Sequence, residues 1–299
     1  MLLRQDIKNN FLNLFTKAME NEPLEKDNRL NVFVLKVENN HFNYEGLKET
    51  LENNLIMYAL SRHTVDELVA QKRFGNLVKY AKEKLRNAKV NEGELGELML
   101  YCLLESHLGA PKLLTKLELK TAPNDYVKGA DGVHLLQLNE KSFQIVFCES
   151  KLYKDLNHGI REAYDSIKKM IDNGLSKIVF EKHLIDSNLL KENVSEDEMQ
   201  LLKKILIPAD NDEELEVDNS FGVFLGFDIP ITDEERQVSN SQFRTDIIAK
   251  VKEAVTKQID TINSYLKKND FVGYQFYFYV MPFDDLAKNR TEIINNLKS

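Results

Sequence analysis

Apolar residues return at changing periods along the chain, and those periods outline its elements. Residues 30–37 (LNVFVLKV) form a dense apolar and β-branched run that predicts a strand. Over 44–61 the spacing becomes helical, with Leu47, Leu51, Leu55, Ile56 and Tyr58 to Leu60 on one broad face. Thr64 followed by Glu67 is a capping-box pattern, predicting a helix that continues through Leu68 and Val69 into 74–85. Residues 94–107 (ELGELMLYCLLESH) read as an apolar helix stopped by Gly109 and Pro111. Three strand-like stretches follow at 113–121, 132–138 and 142–150, the last two joined by Asn139-Glu140-Lys141 as a hairpin. Residues 158–174 are helical, with Ile160, Ala163, Tyr164, Ile167 and Ile171 in register. Residues 192–219 turn acidic (NDEELEVD at 211–218), as a solvated loop does. Two buried strands, 221–228 and 271–280, bracket a helix over 242–266.

The order is that of a mixed α/β protein with helices for both faces of a sheet. A division follows from it: an N-terminal α/β region over 1–90, available for partner contact, and a second unit over 91–299. At 299 residues, 42% hydrophobic and 29% charged, the chain builds a substantial core rather than a disordered tail. No apolar run approaches the roughly 20 residues that span a bilayer. The opening residues mix charge among their apolar positions, unlike a signal peptide. A cytoplasmic location is the expectation. Cys102 and Cys148 are the only cysteines and sit in apolar runs, which excludes a disulfide framework and a four-ligand zinc site. The six histidines show no HExxH spacing.

Charge changes the picture. Forty Lys and Arg stand against 48 Asp and Glu, a net of −8, so the chain has no global basic surplus for nucleic acid. Either a local basic face supplies the contacts or a partner delivers the nucleic acid.

The chemistry concentrates in 129–156 (GADGVHLLQLNEKSFQIVFCESKLYKDL). An antiparallel hairpin brings the start of its first strand beside the end of its second, so Asp131 meets Glu149 across 18 positions. Glu149 and Lys151, two apart on a strand, face the same side, toward Asp131. Cys148 faces the other, buried side. Two carboxylates with an ammonium suit magnesium, which takes one or two carboxylates and keeps water and substrate phosphate as its other ligands. A bound metal acidifies a water and offsets charge on phosphate, while Lys151 positions the water or steadies the transition state. By itself an ExK tripeptide is also what an ordinary surface Glu–Lys pair looks like. The continuously apolar QIVFC before it, and the Gly129-Ala130-Asp131-Gly132 loop end, favour the site. Glu94 and Glu97, three apart on the preceding helix, offer a further acid to complete the metal shell or orient a water. First-turn acids favoured by the helix dipole explain Glu94 equally and Glu97 less well.

An acid-bearing helix, a strand, Asp131 at a strand start and then Glu149-Ser150-Lys151 resemble the PD-(D/E)xK nuclease superfamily, with Ala130 in place of the motif's proline. The segments GELGE, GADGVH and FCESKLY narrow the resemblance to the HamA family of the Hachiman anti-phage defence system, over most of the chain. That resemblance implies a restriction-endonuclease-like core, a mixed central sheet flanked by helices, with an N-terminal α/β extension. It implies a metal-dependent DNA nuclease, an effector of anti-phage defence, with Asp131 and Glu149 as ligands of magnesium or manganese. Lys151 would be its catalytic lysine and Glu94 or Glu97 its helix acid. It also implies a hetero-complex with a helicase partner, the HamB-like subunit. A different class of function, a non-catalytic nuclease-fold module that binds or senses a helicase, stands as the alternative.

Other residues divide between chemistry and packing. Lys112, Lys116 and Lys120 form the best basic stripe for DNA, against the plainer reading of a solvated face. Tyr153 and Lys154 follow the motif and are placed to touch phosphate, or are a solvated pair. His134 is expected as a structural histidine rather than a site residue, and the aromatic run at 274–279 as core rather than a base-stacking platform.

Overall fold

The computed structural model describes residues 2–87, 93–119, 129–172, 175–188, 194–207 and 215–299. In chain order the elements are β1 (Phe15–Pro23), β2 (Arg29–Leu35), β3 (Val37–Glu38), β4 (His41–Phe42), α1 (Tyr44–Ala59), α2 (Arg62–Ala70), α3 (Phe74–Asn87) and α4 (Glu94–Leu103). Then come β5 (Lys112–Thr115), α5 (Lys116–Leu119), β6 (Gly132–Gln137), β7 (Ser142–Leu152), α6 (Leu156–Asp172), α7 (Leu175–Asn188) and α8 (Glu196–Leu206). The chain closes with β8 (Glu216–Asp228), α9 (Asn240–Leu266), β9 (Gln275–Phe283) and α10 (Leu286–Lys298).

Seven strands form one mixed sheet in the order β1-β2-β9-β8-β7-β6-β5. β2, β9, β8 and β7 run parallel, and the antiparallel pairs β1–β2, β7–β6 and β6–β5 close the two sides. The parallel centre explains the continuous apolar runs: strands covered on both faces have no solvent side to alternate with. Phe221, Val223, Phe276 and Tyr279 are fully buried there, so the aromatic run of β9 is core. Helices cover both faces, with α4 over β7 and β8 on one and α6 on the other.

Strands from both sides of residue 90 share this sheet, since β1 and β2 pair onto β9. Residues 2–87 therefore contribute one edge of this sheet, with α1 packed on α4 and α10. Lys112 and Arg62 bind the two parts further. The Lys112 ammonium, fully buried, donates to the carbonyls of Met57 (2.6 Å) and Leu60 (2.8 Å) at the C-terminus of α1. Arg62 donates to the Lys112 carbonyl at 2.8 Å.

Several boundaries differ from the sequence expectation. The cap of α2 is Ser61, whose side chain accepts from the Thr64 amide, so the helix starts a half-turn before the Thr64 box. α2 and α3 are separate helices because Lys72 turns left-handed at φ 57°. α4 passes into a π-helical turn at Leu104–Leu108 and ends on Gly109 at φ 71°. The first hairpin-side strand stops at Thr115, where α5 begins. Part of the acidic stretch is ordered as α8, started by a full capping box between Ser195 and Glu198. The described residues contain no helix long and apolar enough to cross a membrane.

Candidate metal centre at the end of β7

Hairpin register carries Asp131 to Glu149. β6 and β7 pair Val133 with Phe147, and one step further the Asp131 amide donates to the Cys148 carbonyl at 3.0 Å. Asp131 itself sits in the loop just before β6, where its carboxylate is fixed from three directions. Oδ2 accepts from the backbone amide and the hydroxyl of Ser150, both at 2.9 Å, and Oδ1 from Lys116 Nζ at 3.3 Å.

Side chains alternate along β7, and the alternation splits the motif between the two faces. Ser150 faces α4. A Cβ on Gly96 would stand 3.0 Å from the Ser150 Cβ and Oγ, so the glycine of GELGE lets the helix lie directly on the strand. Glu149 and Lys151 face the other way. Their carboxylate and ammonium meet at 2.6 Å, and a hydroxyl of α6, Ser166, bonds Glu149 as well.

Glu149 is 6% exposed. Burial, and then the charge of Asp131, hold its carboxyl at about 7, although Lys151 and Ser166 pull it the other way. For Lys151, burial works against the charge; Glu149 and then Asp131 outweigh it and leave the ammonium firmly protonated. Lys116 behaves alike: burial opposes its charge, and Asp131, Glu97 and Glu149 together raise it well above the ordinary lysine value. The result is a set of acids that repel one another, with two lysines inserted among them.

The helix acids separate. Glu97 approaches the site, with its Oε1 3.8 Å from Lys116 Nζ and its Oε2 accepting from Tyr58 at 3.1 Å. Burial, with Glu97 beside it, pushes the Tyr58 hydroxyl far above its usual range, so it stays a donor. Glu94 turns toward α10, 3.7 Å from Lys298 Nζ. Of the two, Glu97 is thus the one that shares a partner with Asp131.

The expected DNA stripe is not a stripe. Lys112 is buried against the end of α1 and against Glu118 at 3.3 Å, because the free carbonyls of a helix C-terminus attract a cation. Lys116 points into the acid cluster. Lys120 lies outside the described residues. Lys154 is exposed at the end of the motif. His134 is a packing residue: it is buried, bonds the Ala110 carbonyl at 2.8 Å, and burial lowers its pKa to about 3. Cys102 and Cys148 are buried, and desolvation raises both thiols.

Lys116, Ser150, Ser166 and Tyr58 were not foreseen in these roles. Ser150 was legible as the middle of the motif, and Lys116 by its place one step beyond a strand that pairs with β6. Ser166 and Tyr58 carry no signal in the sequence, since each arrives from a separate helix.

Among the described residues no three carboxylate, imidazole or thiol groups stand close enough to cage a metal ion. Magnesium seldom uses such a cage; it is content with one or two carboxylates and retained water. Asp131 and Glu149 offer hard oxygens whose charges repel each other, Asp131 held by Ser150 and Glu149 bonded by Ser166. A divalent cation held by these carboxylates would offset the Asp131 charge, which after burial is the second cause that raises Glu149.

The model of one protein family, HamA, matches residues 9–297 of this chain. No curated protein matches it.

Proposed function

Because the chain belongs to the HamA family, a component of the Hachiman anti-phage defence system, we propose that its site is that of a magnesium-dependent DNA nuclease held in check by a helicase partner. One observation carries the reading. Asp131 and Glu149, far apart in sequence, converge at the end of β7, with Lys151 on Glu149 at 2.6 Å.

Asp131 and Glu149 would hold the metal, with manganese as the alternative to magnesium. When bound, it supplies charge neutralisation for the phosphate and an acidified water. The protein's own groups account for the remainder. Ser150 keeps the Asp131 carboxylate aimed by two hydrogen bonds. Lys151, fully protonated, places a positive charge where negative charge grows on the phosphate. Glu97 and Lys116 form a second rank behind Asp131, orienting it and balancing its charge. The acidic balance of the chain, −8, fits an effector with weak affinity of its own for DNA, supplied with substrate by its partner.

A second reading, the non-catalytic module that binds a helicase, draws on the ion pairs Lys116–Asp131 and Glu149–Lys151, which leave the acids internally balanced without any metal. Plasmid DNA incubated with the chain, magnesium and the product of the neighbouring gene separates the two. The nuclease predicts cleavage that Asp131→Ala and Lys151→Ala each abolish. Cleavage surviving both substitutions removes the site assignment, and no cleavage with the partner present favours the module.

A further inference from the structure

The apolar face of α3 is longer than the core that covers it. Phe74, Leu77, Val78, Ala81 and Leu85 recur at helical spacing on one side of the helix. Leu77, Ala81 and Leu85 are buried, whereas Phe74 and Val78, in its first turns, are 59% and 44% exposed. Val69, at the end of α2, is 44% exposed across a tight turn in which the Lys72 amide donates to the Val69 carbonyl at 2.9 Å. Charge gathers at this apolar corner. Residues 71–86 (QKRFGNLVKYAKEKLR) hold six Lys and Arg and one acid, in a chain of net −8. Lys82 and Lys84 turn back into the fold, onto Glu52 and the Glu118 carbonyl. Lys72, Arg73 and Lys79 stay exposed, with only the loose surface contacts Arg73–Gln71 at 3.4 Å and Lys79–Glu83 at 3.8 Å printed on the last two.

A surface of the opposite kind lies at the start of α9. A groove of about 440 Å³ opens between that helix and the loop 229–239. Its floor is apolar, from Ile231, Val238, Phe243 and Ile247. Its rim is acidic, with Glu234 and Asp246 exposed and Glu235 half-buried. Lys250 is the one base lining it among the described residues, and it is taken up by Glu235 and the Pro230 carbonyl, both at 2.6 Å. Arg236, whose guanidinium lies 6.0 Å from the Phe243 ring, is held by Asp284 at 2.9 Å. The corner and the groove belong to different layers. α3 packs with α1 and α10 on the side of α4, and α9 packs on α6, across the sheet.

From this complementarity we propose that the α2–α3 corner of one chain docks into the α9 groove of a second copy, head to tail. Phe74 and Val78 leave water by entering the apolar floor, and Lys72 and Arg73 meet the acidic rim at Glu234 and Asp246. An aromatic and aliphatic centre ringed by charge is the build of a protein–protein contact. Opposite charges on the two rims steer the encounter and set its orientation. A nucleic-acid strand would use the bases of the corner but not Val69 and Val78, so a protein surface fits it better. The two patches differ and lie on opposite faces, so the contact is heterologous. Each chain in a pair keeps one open corner and one open groove, and association extends to a ring or an open row rather than stopping at a dimer. None of this depends on the chemistry at Glu149.

Sedimentation velocity of the full chain over rising concentration, in low salt and at about 0.5 M salt, tests the contact. The wild-type coefficient should climb with concentration in low salt and fall back in high salt. Phe74→Ser with Val78→Ser removes the corner, and Glu234→Lys with Asp246→Lys inverts the rim of the groove. All four positions are exposed, so both variants should fold. Each variant alone is expected to self-associate at least about tenfold more weakly than the wild type. Mixed, the two should form a one-to-one complex, because one keeps the groove and the other the corner. Lys72→Glu with Arg73→Glu serves if the serine variant melts early. The proposal is overturned if the wild type stays monomeric at every concentration, if either variant associates like the wild type, or if the mixture remains monomeric. A monomeric wild type whose corner instead binds the product of the neighbouring gene, or an oligonucleotide, overturns it as well.

Discussion

Replacing Glu149 with glutamine should make the protein more stable while disabling it. The carboxyl stands at about 7 in the folded chain against an ordinary 4.5, because it is buried and faces Asp131. The folded state thus binds more protons than the unfolded state between these two values, and stability falls as pH rises through that window, levelling off above about 7. Ionising this group in the fold costs roughly 3 kcal/mol at pH 8. The figure already includes the help of Lys151 and Ser166, since both contribute to where the carboxyl sits. Glutamine has the shape of the protonated acid without the ionisation. At pH 8, in EDTA, Glu149→Gln should therefore gain up to roughly 3 kcal/mol, or a Tm higher by roughly 5 °C for a chain of this length. Near pH 4.5 the two proteins should melt together. Urea or thermal unfolding of both across pH 4.5 to 8 provides the comparison. Parallel pH profiles, or a variant less stable at pH 8, would refute the argument that Glu149 is held ionised against the fold.

Three further outcomes follow from the packing. Lys112→Met leaves the carbonyls of Met57 and Leu60 and the carboxylate of Glu118 without their buried cation, and should lower stability by roughly 3 kcal/mol or more in urea. Its oligonucleotide affinity, corrected for unfolding, should not change, contrary to a DNA-contacting lysine. Gly96→Val drives α4 off Ser150 and should cost about 1–3 kcal/mol by the same measurement, with cleavage falling as Glu97 is displaced. Ser150→Ala removes one of two hydrogen bonds on Asp131 Oδ2 and should weaken magnesium binding about tenfold by calorimetry; an unchanged affinity would mean that the amide alone sets the carboxylate.

Much of the sheet was legible because its centre is parallel and doubly covered, so β2, β7, β8 and β9 announce themselves as unbroken apolar runs. β1 does not. Its residues FTKAMENEP alternate weakly, and irregular register near Met19 breaks the period. α8 lies inside an acidic stretch whose composition predicts a loop, although Ser195 and Glu198 spell its cap. The hairpin argument for Asp131 and Glu149 depended only on strand direction and a short turn, both local, and the pairing obeys it. What escaped was every contact made by a side chain from a remote helix. Lys112 looked like a surface lysine beside a strand because the carbonyls that bury it belong to α1, more than fifty residues away. Lys116 shared its spacing and was grouped with it, yet one position faces a helix end and the other an acid cluster. The different surroundings of Glu94 and Glu97 were likewise beyond a helical period, since Tyr58 meets one and Lys298 the other.

The central claim is that the carboxylates at the end of β7 cut nucleic acid. It is tested most directly by measuring magnesium-dependent plasmid cleavage by wild type and by Glu149→Gln, each reconstituted with the proposed helicase partner. The account predicts cleavage by the wild type and a loss of at least about a thousandfold in a variant that is the better folded of the two. Cleavage by Glu149→Gln at the wild-type rate would contradict it.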